Sequence, residues 1–193
     1  MGEVSGLDRR AAVSVLLRDA GDLLVVTGLG SPGYDAFAAG DRDETFYLWG
    51  AMGGAAMTGL GLALAQPQRR VLVLTGDGEM LMGLGSLATI AAQRPGNLAI
   101  AVLDNGRFGE TGSQTSHTDL GTDLGAVARG CGWAETATAA TMAELEALRP
   151  RLHREALFAT VRIATEEVPR ALPPRDGALL ALRFRRALGL VEA

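Results

Sequence analysis

The chain has 193 residues, 48% of them hydrophobic and 21% charged, with 26 glycines, one cysteine and a net charge of −4. All 18 basic residues are arginine, which excludes a Schiff-base lysine and the lysine of a Walker-type phosphate loop. The acidic balance gives no electrostatic footprint for nucleic acid, and the single Cys131 excludes an intramolecular disulfide framework and fits a reducing, cytoplasmic setting.

The length suits one domain with a core of its own. Met1 to Arg10 lacks the apolar run of a secretory signal. Asp8 to Asp19 is predicted to be helical, with Ala12, Val13, Val15, Leu16 and Leu17 as its apolar positions. Leu23 to Thr27 follows as a short apolar strand that runs into Gly28-Leu29-Gly30-Ser31-Pro32-Gly33. Thr45 to Gln68 then holds 24 residues without a charge, long enough to span a bilayer. Its five glycines, between Glu44 and Arg69-Arg70, instead favour a buried helix from about Gly53 to Gln66, closed by Pro67. Small residues there let another backbone or a ligand come close, and no membrane association is expected.

Arg70 to Thr75 reads as a second buried strand, stopped by Gly76-Asp77-Gly78. A helix follows with Met80, Leu84, Leu87, Ala88 and Ala91 on one face, then a third apolar strand from Asn97 to Leu103. Beyond a polar loop, Asp123 to Arg129 is predicted helical and Glu135 to Ala139 an edge strand. Thr141-x-x-Glu144 is a capping box that opens a helix through Leu152, and Leu157 to Ile163 is a further strand. From Glu166 a proline-bearing arm leads to an amphipathic helix around Leu179 to Leu188. Continuous apolar strands alternating with helices predict an α/β domain: three layers, α/β/α, around a mainly parallel sheet.

Several segments are candidates for chemistry. Gly28-x-Gly30-x-x-Gly33 matches the dinucleotide fingerprint, but the acidic residue it needs about 20 positions on falls in the uncharged Leu48-Trp49-Gly50 region. The alternative is a tight strand-to-helix turn near a phosphate. Asn105-Gly106 is a hairpin signal, yet Arg107 to Gly112 lacks the alternation of a return strand. His153, between charged neighbours, reads as a solvated surface residue, and His117 lies in a polar loop without periodicity.

The informative pair is Gly76-Asp77-Gly78 and, after 25 further residues, Asp104-Asn105. Both end consecutive strands, where parallel sheets place ligands. Flanking glycines let the backbone turn sharply at Asp77, and the next helix offers its amino end to negative charge. Asp77 and Asn105 supply two hard oxygens, and Mg²⁺ is commonly held by one or two such groups plus phosphate oxygens and water. The alternative is two structural turns.

That spacing resembles the thiamine-diphosphate motif, which starts GDG and ends in NN or DN. The resemblance runs from about Val25 to Ile163. Trp49-Gly50-Ala51-Met52-Gly53 looks like the family's segment beside the cofactor's two rings. Gly85-Ser86-Leu87-Ala88-Thr89-Ile90 and Gly112-x-Gln114-x-x-His117-Thr118 are most similar to the sulfopyruvate and phosphonopyruvate decarboxylases of that family.

The resemblance implies a thiamine-diphosphate-binding fold with thiamine diphosphate and Mg²⁺ as cofactors. Asp77, Asn105 and the backbone carbonyl of Arg107 would hold the metal. Gly28, Gly76, the amides of Gly78 and Glu79, and Glu110-Thr111 would line the diphosphate. The Gly50 carbonyl would accept from the pyrimidine amino group, Met52 would prop the rings together, and His117 would serve the reaction as proton donor or anion-binding group. In this family the activating glutamate lies in a separate domain. The implied partner is therefore a pyrimidine-binding subunit in a hetero-oligomer, acting on a small anionic 2-oxo acid. Residues 1–165 would form the cofactor-binding domain and residues 166–193 an arm and helix at an interface. A decarboxylase of a 3-substituted pyruvate, a carboligase with the same cofactor and a non-catalytic subunit are the three readings this leaves open.

Overall fold

Alternate residues along the central strands enter two separate apolar clusters, which is how a sheet covered on both faces is built. The computed structural model describes residues 6–166 and 168–191. The expectations that touch residues 1–5, 167 and 192–193 (the missing signal core and the ends of both ranges) lie outside the described residues. Six parallel strands form the sheet: β1 (Leu24–Thr27), β2 (Thr45–Tyr47), β3 (Val71–Gly76), β4 (Leu98–Asp104), β7 (Thr136–Ala139) and β8 (Leu157–Arg162). Their spatial order is β2-β1-β3-β4-β8-β7.

One face carries Val25, Leu72, Leu74, Ala99, Ala101 and Leu103 against helices α1 (Arg9–Leu17), α2 (Ser31–Ala39) and α7 (Met142–Leu152). The other carries Leu24, Val26, Val71, Val73, Ile100 and Val102 against α3 (Ala55–Ala65), α5 (Ser86–Gln93), α6 (Leu124–Gly130) and α8 (Gly177–Ala187). Each time the chain reverses its direction across the sheet, the connecting helix changes face, as right-handed crossovers demand. Reversal between β1 and β3 opens a crevice at their carboxyl ends, the usual ligand position of such sheets.

The three-layer α/β/α architecture and the long strands match the sequence reading, and several details differ. The helix expected to carry Met80 through Ala91 on one face is two helices, α4 (Asp77–Met82) and α5. They part at Gly83, where an added Cβ would lie 2.2 Å from the Gly53 carbonyl oxygen. This close approach shifts the helical phase, so Leu87 and Ile90 are buried while Ala88 is exposed. The helix that follows the Gly28-to-Gly33 turn is α2, and strand β2 has no counterpart in the sequence reading.

Arg107–Phe108 (β5) pairs antiparallel with Gln114–Thr115 (β6), so the loop does return as a ribbon. Asn105-Gly106 precedes that ribbon rather than forming its turn; only Gly106 of the two has positive φ, whereas a type I′ turn requires both. His153 is half-buried, with Nε2 2.7 Å from the Leu16 carbonyl oxygen, because α7 packs on α1. Among the described residues no helix is long and apolar enough to cross a membrane.

The arm and α8 cover the exposed side of β2. Arg183 donates twice to Asp41, both at 2.7 Å, and its guanidinium lies 5.6 Å from the Tyr47 ring centroid. Phe184 packs on Phe46 at 5.5 Å, and the Trp49 indole donates to the Pro174 carbonyl at 2.8 Å.

Candidate functional site

An open cleft sits at the carboxyl ends of β1, β3 and β4. Its walls bring together Met52, Gly76, Asp77, Gly78, Glu79, Asn105, Arg107, Glu110 and Thr111 from the sequence-predicted set. These residues come from three separate chain segments, and the parallel sheet is what makes them neighbours.

Asp77 opens α4 and is almost wholly buried. Its Oδ2 accepts from the Ser116 hydroxyl and lies 3.2 Å from the Thr118 hydroxyl. Burial pushes the Asp77 carboxyl above the ordinary carboxylate range; the Ser116 bond pulls it back and the Asp104 charge pushes it up further. A cation at the free oxygen would reverse that bias by favouring the ionised form. Asn105 Oδ1 accepts from the Arg107 amide at 2.9 Å, an Asx turn that fixes the side chain and leaves the oxygen a second lone pair.

Among the described residues no group of three or more His, Cys, Asp or Glu side chains could hold a metal alone. One carboxylate and one amide oxygen is a donor set that needs other oxygens to complete it. That suits Mg²⁺ shared with a diphosphate. The Gly76-Asp77-Gly78 turn also has the required tightness: a Cβ on Gly78 would lie 2.7 Å from the Phe108 ring.

Glu79 lines the cleft, but its carboxylate turns into the protein. Oε2 accepts from the Thr75 hydroxyl at 2.9 Å and Oε1 from the Ala55 amide at 3.4 Å, with further backbone donors at Gly53 and Leu29. Burial raises its pKa, and these bonds counter the shift. Glu79 thus ties the loop after β1, the loop before α3 and the end of β3 together. Gly28 is glycine for that reason: a Cβ there would lie 1.6 Å from a Glu79 carboxylate oxygen. Gly28 therefore sits behind the cleft wall and Leu29 forms it.

Gly50 and His117 are not on the cleft wall. Gly50 is exposed, with φ +79° and open space where a Cβ would point. His117 is exposed beside Phe108, ring centroids 6.3 Å apart, while the residues on either side of it are buried. The Gly28-x-Gly30-x-x-Gly33 stretch is a strand-to-helix turn in which Gly30, at φ +82°, precedes α2. The chain leaving the next strand carries no acid to hold a ribose, so the dinucleotide reading lacks its second half.

Sequence reasoning missed Ser31 and Arg9, both on the cleft wall. Ser31 begins α2, and the serine-proline pair is a helix-start signal that the neighbouring glycines obscured. Arg9 is nine-tenths buried and donates to Asp35 of α2. Only the packing of α1 on α2 brings it there, so no local spacing could have revealed it.

A family model described as thiamine pyrophosphate enzyme, C-terminal TPP binding domain, matches residues 36–163. The chain is 47% identical over 127 residues to sulfopyruvate decarboxylase subunit beta of Methanothermobacter thermautotrophicus, covering 66% of this chain and 68% of that one. It is 48% identical over 126 residues to phosphonopyruvate decarboxylase of Streptomyces viridochromogenes, covering 65% of this chain but 31% of that longer one. The solved thiamine diphosphate-dependent 4-hydroxybenzoylformate decarboxylase of Rhodococcus jostii superposes with a TM-score of 0.67 at 20% identity, over 87% of this chain and 34% of that one. At that identity the superposition speaks for the fold alone.

Proposed function

The chain belongs to the thiamine pyrophosphate enzymes, as their C-terminal cofactor-binding domain, and from that premise we propose that it is the diphosphate-binding subunit of a two-subunit decarboxylase of a 3-substituted pyruvate. The observation that carries the reading is the pairing of Asp77 with Asn105 at adjacent strand ends, in a chain 47% identical to a sulfopyruvate decarboxylase beta subunit. The substrate class is a small 2-oxo acid with a sulfonate or phosphonate at carbon 3, and the location is the cytoplasm.

When bound, thiamine diphosphate supplies an ylid and the electron sink for decarboxylation. The protein's part is position and electrostatics. In this reading Asp77, Asn105 and the Arg107 carbonyl hold Mg²⁺. Gly76, the amides of Gly78 and Glu79, and Glu110-Thr111 face the diphosphate, with Gly28 supporting that wall from behind. The Gly50 carbonyl and the Met52 side chain meet the rings. Residues 1–165 act as the cofactor-binding domain, and the arm and helix of 166–193 join an interface.

A pyrimidine-binding partner subunit supplies the activating glutamate. The two glutamates on this chain's cleft wall favour that division: Glu79 is committed to Thr75 and backbone amides, and Glu110 lies 3.6 Å from Arg170. His117 joins the site from the surface that the partner would cover. It either returns a proton or holds the substrate's anionic group, both within the chemistry of an imidazole.

The test is to purify the chain with and without a co-expressed pyrimidine-binding subunit. Proton exchange at the cofactor's reactive carbon and CO₂ release from a panel of 2-oxo acids are then followed. Exchange and release should need both chains and favour sulfopyruvate or phosphonopyruvate. Equal exchange by the lone chain would break the split-site reading, and ligation products without net decarboxylation would point to a carboligase.

A further inference from the structure

The Gly112-to-Thr118 segment stands out in the sequence for its histidine, yet the side chains it buries are those of Ser116 and Thr118. The β5–β6 ribbon returns the chain beneath α4, and the Ser116 amide donates to the Gly106 carbonyl at 2.8 Å. From there the chain enters a turn, in which the Leu120 amide donates to the His117 carbonyl at 3.1 Å; Thr115, His117 and Asp119 are exposed while Ser116 and Thr118 are buried. Gly106 makes the approach possible: its φ is +69°, and a Cβ would lie 2.8 Å from the Asp119 Cβ.

The two hydroxyls meet a pair of buried carboxylates. Ser116 donates to Asp77 Oδ2; Thr118 Oγ1 lies 2.7 Å from Asp104 Oδ1, 3.2 Å from Asp77 Oδ2 and 2.9 Å from Ser116 Oγ. Arg162 pairs with the other oxygen of Asp104, and the Gly106 amide donates to Asp104 Oδ1 at 3.1 Å. Two hydroxyl protons thus serve two carboxylates, and the arrangement that satisfies both has Ser116 donating to Asp77 and Thr118 to Asp104. Without those protons, Asp77 would face a second carboxylate across an unbridged gap and could turn away from the cleft.

We propose that Ser116 and Thr118 are positioning residues for Asp77, holding one of its oxygens so that the other is presented to Mg²⁺. The proposal rests on the reading of Asp77 as the metal ligand. Groups that orient a ligating carboxylate typically affect metal affinity by about 10–100-fold when removed.

The test uses the full chain in complex with its pyrimidine-binding subunit, titrating Mg²⁺ at saturating thiamine diphosphate by calorimetry and by the fluorescence of Trp49. Thr118→Val, which keeps shape but not the hydroxyl, and Ser116→Ala should each raise the Mg²⁺ Kd by about 10-fold or more. Thr118→Ser should stay within about threefold of wild type, and cofactor affinity at saturating Mg²⁺ should change less than metal affinity. A Thr118→Val or Ser116→Ala protein with unaltered Mg²⁺ affinity, beside an Asp77→Ala protein that has lost it, overturns the proposal and leaves the metal site standing. Loss in Thr118→Ser but not in Thr118→Val would assign the effect to methyl packing and also overturn it. If Asp77→Ala itself binds cofactor with unchanged, chelator-insensitive affinity, the metal-site reading fails and takes the proposal with it.

Discussion

The two halves of the cleft are built to different standards. On the side proposed to hold the metal, Asp77 is buried, hydrogen-bonded and fixed at the start of a helix, and Asn105 is locked in a turn. On the side proposed to face the rings, the segment from Gly50 to Gly53 has three positive φ angles, including +51° at Ala51, and Met52 is 41% exposed. One half is held in place by this chain's own hydrogen bonds. The other is held in an uncommon backbone shape with its apolar side chain uncovered, which is how a surface looks when a second protein is to complete it. Met82, exposed as well, shares the cleft wall with Met52.

The largest effect expected from that contrast lies at Asp77. Asp77→Ala removes the only carboxylate assigned to Mg²⁺ and should weaken metal-dependent thiamine diphosphate binding by at least about 100-fold, about 2.7 kcal/mol. Calorimetry with and without a chelator measures this. Affinity that survives both the substitution and the chelator would remove the distinction between the halves.

Glu79 joins the halves, so its loss should cost stability. Glu79→Ala leaves the Thr75 hydroxyl and several buried amides without their acceptor and should lower unfolding free energy by about 1–3 kcal/mol in urea melts. The pH dependence has a defined sign. Burial raises the folded pKa above the unfolded value, so the carboxyl's favourable contribution is complete below the ordinary glutamate pKa of about 4.3 and declines as pH rises through the folded value. Glu79→Gln cannot ionise, and its stability should therefore fall less steeply over that window than wild type's. A mutant curve parallel to wild type would mean that Glu79 is not the group titrating there.

Met52 separates folding from function. Because it is exposed, Met52→Ala should change stability by no more than about 0.5 kcal/mol. Turnover of the assembled enzyme should nevertheless fall under the proposed reading, in which the side chain props the rings. An unchanged kcat would show that the ring side needs no support from this chain.

What the sequence could disclose follows the same division. The long strands were legible because they are buried on both faces and read as unbroken apolar runs, Leu98 to Leu103 being the clearest. The placement of Asp77 and Asn105 at adjacent strand ends was legible because it depends on local spacing. Ser116 and Thr118 were not, because hydroxyls in a polar loop give no periodic signal until the ribbon shows which way each one points. Arg9 was hidden for a different reason, since its place depends on how two helices pack. His153 was misread because charged neighbours in sequence suggested solvent, while the fold docks its ring on the Leu16 carbonyl. Local chemistry can be read along the chain, but which side of a loop is inside depends on tertiary contacts.

The smallest and most discriminating effect lies at Ala51. A non-glycine residue in the left-handed region costs about 1–2 kcal/mol, because its Cβ crowds the following carbonyl. Ala51→Gly relieves that cost but loosens the unfolded chain by about 0.4–1 kcal/mol, so the net gain should lie between about 0 and 1.6 kcal/mol. The same change widens the conformations open to Gly50 and Met52 on either side, and ordering them around the cofactor becomes more costly. The expected outcome is a protein slightly more stable to heat but with a higher thiamine diphosphate Kd at saturating Mg²⁺. If Ala51→Gly is less stable than wild type, the φ of +51° is not strained in this setting. If it is more stable and binds cofactor equally well, the strained loop is not what presents Gly50 and Met52, and the ring side owes its geometry to the partner alone.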